Sequence, residues 1–359
     1  MTERSDAEQK DITMKLDQRP VMLSLVLSFL FTACVGPRVS EISLDMKKEH
    51  APDPIAGRLK ILSSSGQGTL ALLSVAKAGD GRVFGIRAGE TALFELNDGD
   101  WKATDRLGRN PSSMNYLTFV DPMVGFAMGN GGTLFRTSNG GANWSKIKEF
   151  TNYNLDQAAF LDGSTGYVVG ERSLVDSEGG LTYYTKVFLT TDGGLSWSKV
   201  LELDSAGTVT GIAALSESTV VVSFNNKGIL RSEDKGRSWK FVDSSLHTMG
   251  LSFNGSKVGM SIDNDGNLYR SGDLGNTWKR TEIADPSAAG CKWGAVAAAA
   301  HAFLLISSDG CIASSIDGTT LSAIEHVDGR LGAIFMSNGS AFIAGDSHIY
   351  GKEMPSARR

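Results

Sequence analysis

Four aspartates, Asp263, Asp265, Asp309 and Asp346, stand in short polar turns that follow apolar stretches. Paired carboxyl groups are what glycosidic-bond cleavage requires, one to protonate the leaving oxygen and the other to attack or to activate water. These turns are also where backbone geometry alone favours Asn and Asp, whose side chains hydrogen-bond within the turn, and that account is preferred. Arg136, Arg231 and Arg270 would clamp a substrate carboxylate if they converged. Each, however, occupies the same place just ahead of a recurring motif, which spreads them over successive repeats. The five histidines and three cysteines show no spacing typical of a catalytic metal site. Neither a Gly-x-Ser-x-Gly nucleophile elbow nor a phosphate-binding glycine loop occurs. No catalytic residue, metal ligand or cofactor is therefore assigned.

Whatever these side chains do, a repeat must position them. Thr137-Ser-Asn139-Gly-Gly141-Ala-Asn-Trp144, Thr190-Thr-Asp192-Gly-Gly194-Leu-Ser-Trp197, Ser232-Glu-Asp234-Lys-Gly236-Arg-Ser-Trp239 and Ser271-Gly-Asp273-Leu-Gly275-Asn-Thr-Trp278 all read Ser/Thr-x-Asp/Asn-x-Gly-x-x-Trp. Weaker copies lie at Asn97–Trp101, which keeps the turn and the Trp, and at Ser315–Leu321, where Leu replaces Trp. From Asn139 onward the Asn/Asp positions recur at intervals of 53, 42, 39 and 44 residues. About forty residues is what four short strands and their turns need. The Asp or Asn oxygen can accept hydrogen bonds from amides of its own turn, and Gly takes a φ that a Cβ would penalise. The Trp returns apolar surface to the core of the repeat. Asn139, Trp144, Asp192, Trp197, Asp234, Trp239, Asp273 and Trp278 are accordingly assigned to folding.

Ahead of each motif runs an apolar strand, a turn, a second strand ending in small residues, a Gly/Asn turn and a third strand, as in Thr210–Ala213, Val220–Phe224 and Gly228–Leu230. Strand, strand, strand, motif, strand is one propeller blade. Such units fall near 66–105, 114–150, 155–203, 207–243, 247–283, 291–325 and 330–353, which predicts an all-β, seven-bladed propeller of four-stranded antiparallel blades, with six or eight as the neighbouring counts. The last unit has three strands only, and Gly57–Leu62 would supply the fourth, closing the ring and leaving no long exposed edge.

The chain has 359 residues, 41% hydrophobic and 21% charged, with a net charge of −5, so a substantial core is affordable in size and no basic surface suits nucleic acid. Residues 1–34 read as a secretory signal: an apolar run of about 13 residues from Val21 to Ala33, too short to span a bilayer, ends in Phe31-Thr32-Ala33-Cys34. That ending resembles a bacterial lipobox, in which Cys34 would be lipidated; a plain secreted protein and an uncleaved anchor are the alternatives. The acidic stretch before Lys15 is unusual for a signal, and Met14 is an alternative start. Residues 35–56, with Pro37, Pro52 and Pro54 among charges, read as a tether, residues 57–353 as the propeller and 354–359 as a tail. After export Cys291 and Cys311 can pair, closing a loop of about 20 residues. The strand assignment sets them on strands separated by a third, beyond the usual ~7 Å Cα limit, so two separate buried thiols are the competing expectation.

The motifs resemble the Asp-box, or BNR, repeat, and their full form is similar to that of the photosystem II stability/assembly factor type of propeller, over nearly all of residues 57–353. The resemblance implies an architecture far more than a function, because such repeats occur in sialidases, glucan hydrolases, sorting receptors and assembly factors. It also implies that the box lies between third and fourth strands, on the face opposite the ligand site. Sialidases of this type carry an Arg-Ile-Pro signature, which this chain lacks.

A ligand is therefore expected at the turns between second and third strands, at Arg87, Asn130, Glu171, Arg172, Asn226, Asp265, Asp309 and Asp346. Residues Arg172–Thr185 form an insertion in which Tyr183 and Tyr184 would give a flat amphipathic contact, or would merely continue the third strand of a long hairpin. The function expected is that of an exported, non-enzymatic scaffold, a monomer held at the membrane by a lipid and bound to an envelope protein. A glycan hydrolase or glycan-binding propeller is the alternative.

Overall fold

Every strand of the computed structural model belongs to one of seven four-stranded antiparallel sheets, arranged in chain order around a ring. The structure describes residues 59–354 apart from 65–71, 110–111, 149, 176, 178, 205–206, 256, 282–289, 300 and 347. The expected signal, Cys34 and the tether lie outside the described residues. Strand β1 (Lys60–Ser64) stands apart from the blade that follows it. Blade 1 is β2 (Leu72–Lys77), β3 (Val83–Arg87), β4 (Phe94–Asn97) and β5 (Asp100–Ala103). Blade 2 is β6 (Met114–Phe119), β7 (Gly125–Gly129), β8 (Leu134–Thr137) and β9 (Ser145–Lys146); blade 3 is β10 (Asn154–Phe160), β11 (Gly166–Val175), β12 (Leu181–Thr190) and β13 (Ser198–Asp204). Blade 4 is β14 (Val209–Ala214), β15 (Val220–Phe224), β16 (Gly228–Ser232) and β17 (Lys240–Asp243); blade 5 is β18 (Thr248–Phe253), β19 (Gly259–Asp263), β20 (Leu268–Ser271) and β21 (Lys279–Thr281). Blade 6 is β22 (Trp293–Ala298), β23 (Phe303–Ser307), β24 (Cys311–Ser315) and β25 (Ser322–His326). Blade 7 is β26 (Leu331–Ser337), β27 (Ser340–Gly345) and β28 (His348–Glu353), and its fourth strand is β1, paired antiparallel to β28. The expected closure thus occurs two to three residues later in the chain than Gly57–Leu62.

Inner strands touch in succession, β2 against β6 and so on to β22 against β26, and β26 returns to β2. The apolar core is divided among the seams. Phe84 and Ile86 of blade 1 meet Met114, Leu117 and Trp144 of blade 2, for example, and Tyr167 and Val187 of blade 3 meet Val222 and Leu230 of blade 4. Middle strands are buried on both faces because a neighbouring blade covers each side, which is why β15 is a run of Val-Val-Val instead of an alternation. Each large side chain fully buried there contributes roughly 1.5–3 kcal/mol.

The boxes occupy the turns between third and fourth strands. In the blade 3 copy, the Thr190 hydroxyl accepts the Gly194 amide at 2.8 Å and donates to Asp192 at 2.8 Å. Asp192 then accepts the amides of Leu195 at 3.0 Å and Ser196 at 2.9 Å, so one hydroxyl and one carboxylate between them meet these turn donors. The residue after the Asp or Asn needs a left-handed backbone: Gly193 has φ 73°, whereas Lys235 and Leu274 occupy the same place at 64° and 59°. Gly194 has a second reason to be glycine, since a Cβ there would lie 2.4 Å from Phe126. The box tryptophans pack as expected, Trp144 between Phe84 and Phe119 and Trp197 stacked on Phe150 at 5.6 Å. The weak copy at Asn97–Trp101 is a plain two-residue turn with Asp98 and Gly99 at φ 51° and 85°.

The arginines ahead of the boxes are latches. Arg136 Nε donates to the Gly193 carbonyl at 2.8 Å, Arg231 Nε to that of Leu274 at 2.9 Å and Arg270 Nε to that of Asp317 at 2.6 Å, each reaching the box of the next blade. They do not converge on one point.

One expectation fails. Cys291 and Cys311 form a disulfide with their Cα atoms 6.0 Å apart. Cys291 is not on the inner strand: it lies in the segment leading into β22, which passes close to the β23–β24 turn where Cys311 begins the third strand. An intervening strand does not separate residues at the sheet's end when one of them is in the approach.

Candidate functional site: the polar belt opposite the Asp boxes

Antiparallel order puts the turns between first and second strands and the boxes on one face of the ring. On the other face lie the turns between second and third strands and the entries to the inner strands. Near its entry every inner strand shifts register by one residue against its neighbour: between Leu72 and Ser74, Met114 and Tyr116, Leu155 and Gln157, Val209 and Gly211, Thr248 and Gly250, Trp293 and Ala295, and Leu331 and Ala333. Such bulges re-aim side chains. The residues left out of pairing form a ring of equivalent positions: Leu73, Asn115, Asp156, Thr210, Met249, Gly294 and Gly332. Blades 2, 3 and 4 place polar side chains there, and the other blades place apolar ones or glycine.

Those three polar positions begin a belt of side chains. Asn115 Nδ2 donates to Asn130 Oδ1 at 2.9 Å and, across the seam, to Asp156 Oδ1 at 2.7 Å. On the other flank of blade 3, Glu171 Oε1 accepts the Val209 amide of blade 4 at 2.8 Å. Thr210 contacts Ser223 at 3.0 Å and also Thr248 of blade 5, whose hydroxyl donates to the Phe224 carbonyl at 3.2 Å. Burial pushes the Asp156 carboxyl up to about 6 against the opposing Asn115 hydrogen bond. Burial first, then the charge of Asp156, push Glu171 up to about 8, with the Val209 amide opposing. Near neutral pH the belt therefore presents one carboxylate, one protonated carboxyl that can donate, and several amides and hydroxyls.

Blade 3 also carries the insertion. Strands β11 and β12 continue past β13: Arg172 lies opposite Tyr184, which still pairs with Asp204 at the end of β13, and from Ser173 opposite Tyr183 outward the hairpin is a two-stranded ribbon. The tyrosines thus continue the third strand of a long hairpin and are half-buried. Its end exposes Leu174, Val175 and Leu181, at 42%, 70% and 46%. Exposed apolar side chains clustered on a polar face mark contact surfaces.

Of the residues expected here, Asn130 and Glu171 join the belt. Arg87 lies with its guanidinium 4.1 Å from the Phe94 ring centre. Asn226 is exposed beside Gly207, while its neighbour Asn225 accepts the Thr208 amide at 3.0 Å. Asp265, Asp309 and Asp346 are exposed at the tips of three separate turns. Asp263 is occupied within its turn, accepting the Asn267 amide at 2.8 Å and the Tyr269 hydroxyl at 3.1 Å. Asn115, Asp156 and Thr210 escaped the sequence reading; the only signal for them is a polar residue directly after the first apolar residue of an inner strand.

A closed ring of seven blades with Asp boxes on one face and a polar belt on the other defines an Asp-box β-propeller. The model of the photosynthesis system II assembly factor Ycf48 family matches residues 97–282, just over half of the chain, and the protein belongs to that family. The Photosystem II assembly lipoprotein Ycf48 of Synechococcus sp. (strain CC9902) is 28% identical over 201 residues, which cover 53% of this chain and 55% of that protein. The chain thus spans about half the length of the curated relative it matches. Among solved structures, Ycf48 from Cyanidioschyzon merolae superposes with a TM-score of 0.58 at 15% identity, covering 83% of this chain and 98% of that one. The GH74 xyloglucanase from Xanthomonas campestris does so with 0.57 at 14% identity, covering 84% and 54%. At these identities the likeness shows the fold alone.

Proposed function

We propose that this protein is a non-enzymatic assembly scaffold that holds a segment of a membrane-protein partner on the face opposite the Asp boxes. Family membership and the relative's name as an assembly lipoprotein support the class of function. The observation that carries the placement is the belt running from Asn130 through Asn115, Asp156 and Glu171 to Thr210, beside the apolar end of the blade 3 hairpin. A bound segment of polypeptide needs partners for its own amides and carbonyls, which the belt supplies, and the hairpin offers apolar contact. Export and a lipid on Cys34 would keep the scaffold at the membrane where such a partner resides.

A hydrolytic reading has one observation in its favour, the weakened and unequal acidities of Glu171 and Asp156, both pushed up by burial. Against it, each carboxyl is engaged at a different seam, Asp156 with blade 2 and Glu171 with blade 4. Affinity capture from detergent-solubilised membranes, comparing wild type with a protein in which Asn-Gly replaces residues 174–182, tests the scaffold. Retention of membrane-protein subunits by wild type and their loss from the shortened hairpin are expected. Identical capture by both removes the hairpin from the site. Glycan turnover abolished by Glu171→Gln would overturn the scaffold reading itself.

A further inference from the structure

Cys311 opens β24 directly opposite His326 on β25, and the segment before β22 carries Cys291 to the same place. The two sulfurs and an imidazole nitrogen lie within 4.8 Å of one another. Sequence spacing does not announce this set, because the register of one hairpin and the approach of a separate segment assemble it. Cys311 is buried, Cys291 half-buried and His326 exposed, so two ligands are sheltered and the third opens to solvent. Two thiolates and an imidazole, about 3.5–4 Å apart around a common centre, are three corners of a tetrahedral site for a thiophilic cation.

We propose that Cys291, Cys311 and His326 form a redox-gated site for a thiophilic divalent cation such as zinc, closed by the disulfide and opened by its reduction. A dithiol reductant transfers two electrons and two protons to the disulfide, giving the two cysteine thiols and the oxidised dithiol. One divalent cation then replaces the two thiol protons and takes the neutral imidazole as third ligand, with the fourth position left to water or to a donor from outside the chain. Disulfide and metal exclude each other because the S–S bond leaves neither sulfur as a thiolate, the form that binds the cation. The rest of blade 6 holds the ligands in place: Cys311 donates its amide to the Ser307 hydroxyl at 2.9 Å, and the Val327 amide donates to the Gly310 carbonyl at 3.0 Å.

Cobalt(II) titration tests this. The whole protein, reduced with a phosphine and freed of metal, is expected to take up one equivalent with the thiolate-to-cobalt charge-transfer absorption of two sulfur ligands, and the oxidised protein is expected to show none. His326→Ala keeps both cysteines and should weaken cobalt binding by about tenfold or more, whereas Cys311→Ser should abolish the absorption. Circular dichroism recorded alongside reports the fold. A reduced protein that unfolds, one that stays folded without the absorption, or a His326→Ala variant that binds as well as wild type overturns the proposal.

Discussion

Glu171→Gln separates the electrostatic cost of the belt from its hydrogen bonding. In the unfolded chain Glu171 loses its proton near 4.5, whereas in the ring burial and the neighbouring charge of Asp156 hold it until about 8. Between those values the folded protein binds more protons than the unfolded one, so this residue makes stability fall as pH rises through the window; above about 8 the loss levels off. At about 1.4 kcal/mol per pH unit a dry carboxyl would lose about 5 kcal/mol, and the solvent contact of this half-buried side chain reduces that to about 2 kcal/mol. Gln keeps an oxygen for the Val209 amide and has no charge to lose. Urea denaturation at pH 5 and pH 8 should therefore show wild type and variant nearly equal at the lower pH. At the higher pH the variant should be more stable by about 2 kcal/mol, or about 5 °C in melting temperature. A difference between the two proteins that does not grow with pH would refute the argument that Glu171 is held protonated by its surroundings.

Arg231→Ala removes a latch residue that is only 4% exposed, leaves the Leu274 carbonyl of the next blade without its donor, and should cost about 2–3 kcal/mol in denaturant unfolding. Lys235→Gly should stabilise the protein by about 0.5–1 kcal/mol in the same assay, because Lys235 holds φ 64° where other boxes use glycine. Gly194→Ala combines φ 83° with a Cβ 2.4 Å from Phe126, and a loss of about 3 kcal/mol or insoluble expression is expected; a variant as stable as wild type would show that the seam can yield. Replacing residues 174–182 by Asn-Gly should leave the melting temperature within about 2 °C, since the ribbon extends past β13 and its apolar end is exposed. A large drop would show that the hairpin supports the ring.

How far the site could be read in advance differed by residue. Glu171 and Asn130 were legible because they sit in or beside turns whose place on the ring follows from counting strands. Asp156 and Asn115 were not, although they make a side-chain contact between blades 2 and 3: a bulge residue has no periodicity of its own, and its partner is 41 residues away in the chain. For the tyrosines the sequence left a flat contact and a continued third strand equally open because an insertion has no length rule, and only the ladder from Gly166–Thr190 to Val175–Leu181 shows that they extend a strand. The disulfide was misjudged for a related reason, since strand counting says nothing about where an entering segment travels.

What the sequence by itself determined is the repeat and what the repeat entails: the boxes, the strand order within each blade, a blade count of seven or one either side of it, and the need for a late pairing to close the ring. These are local matters, decided by turn residues that take positive φ, by carboxylates that bond their own turn and by apolar strands that need cover on two faces. Only the tertiary structure decided which side chains meet, namely the arginine latches, the belt of Asn115, Asp156 and Glu171, and the group of Cys291, Cys311 and His326. Closing the ring stacks residues from successive repeats, some forty positions apart, across seams whose alignment depends on the bulge, twist and register of whole sheets, and no short stretch of chain encodes that alignment.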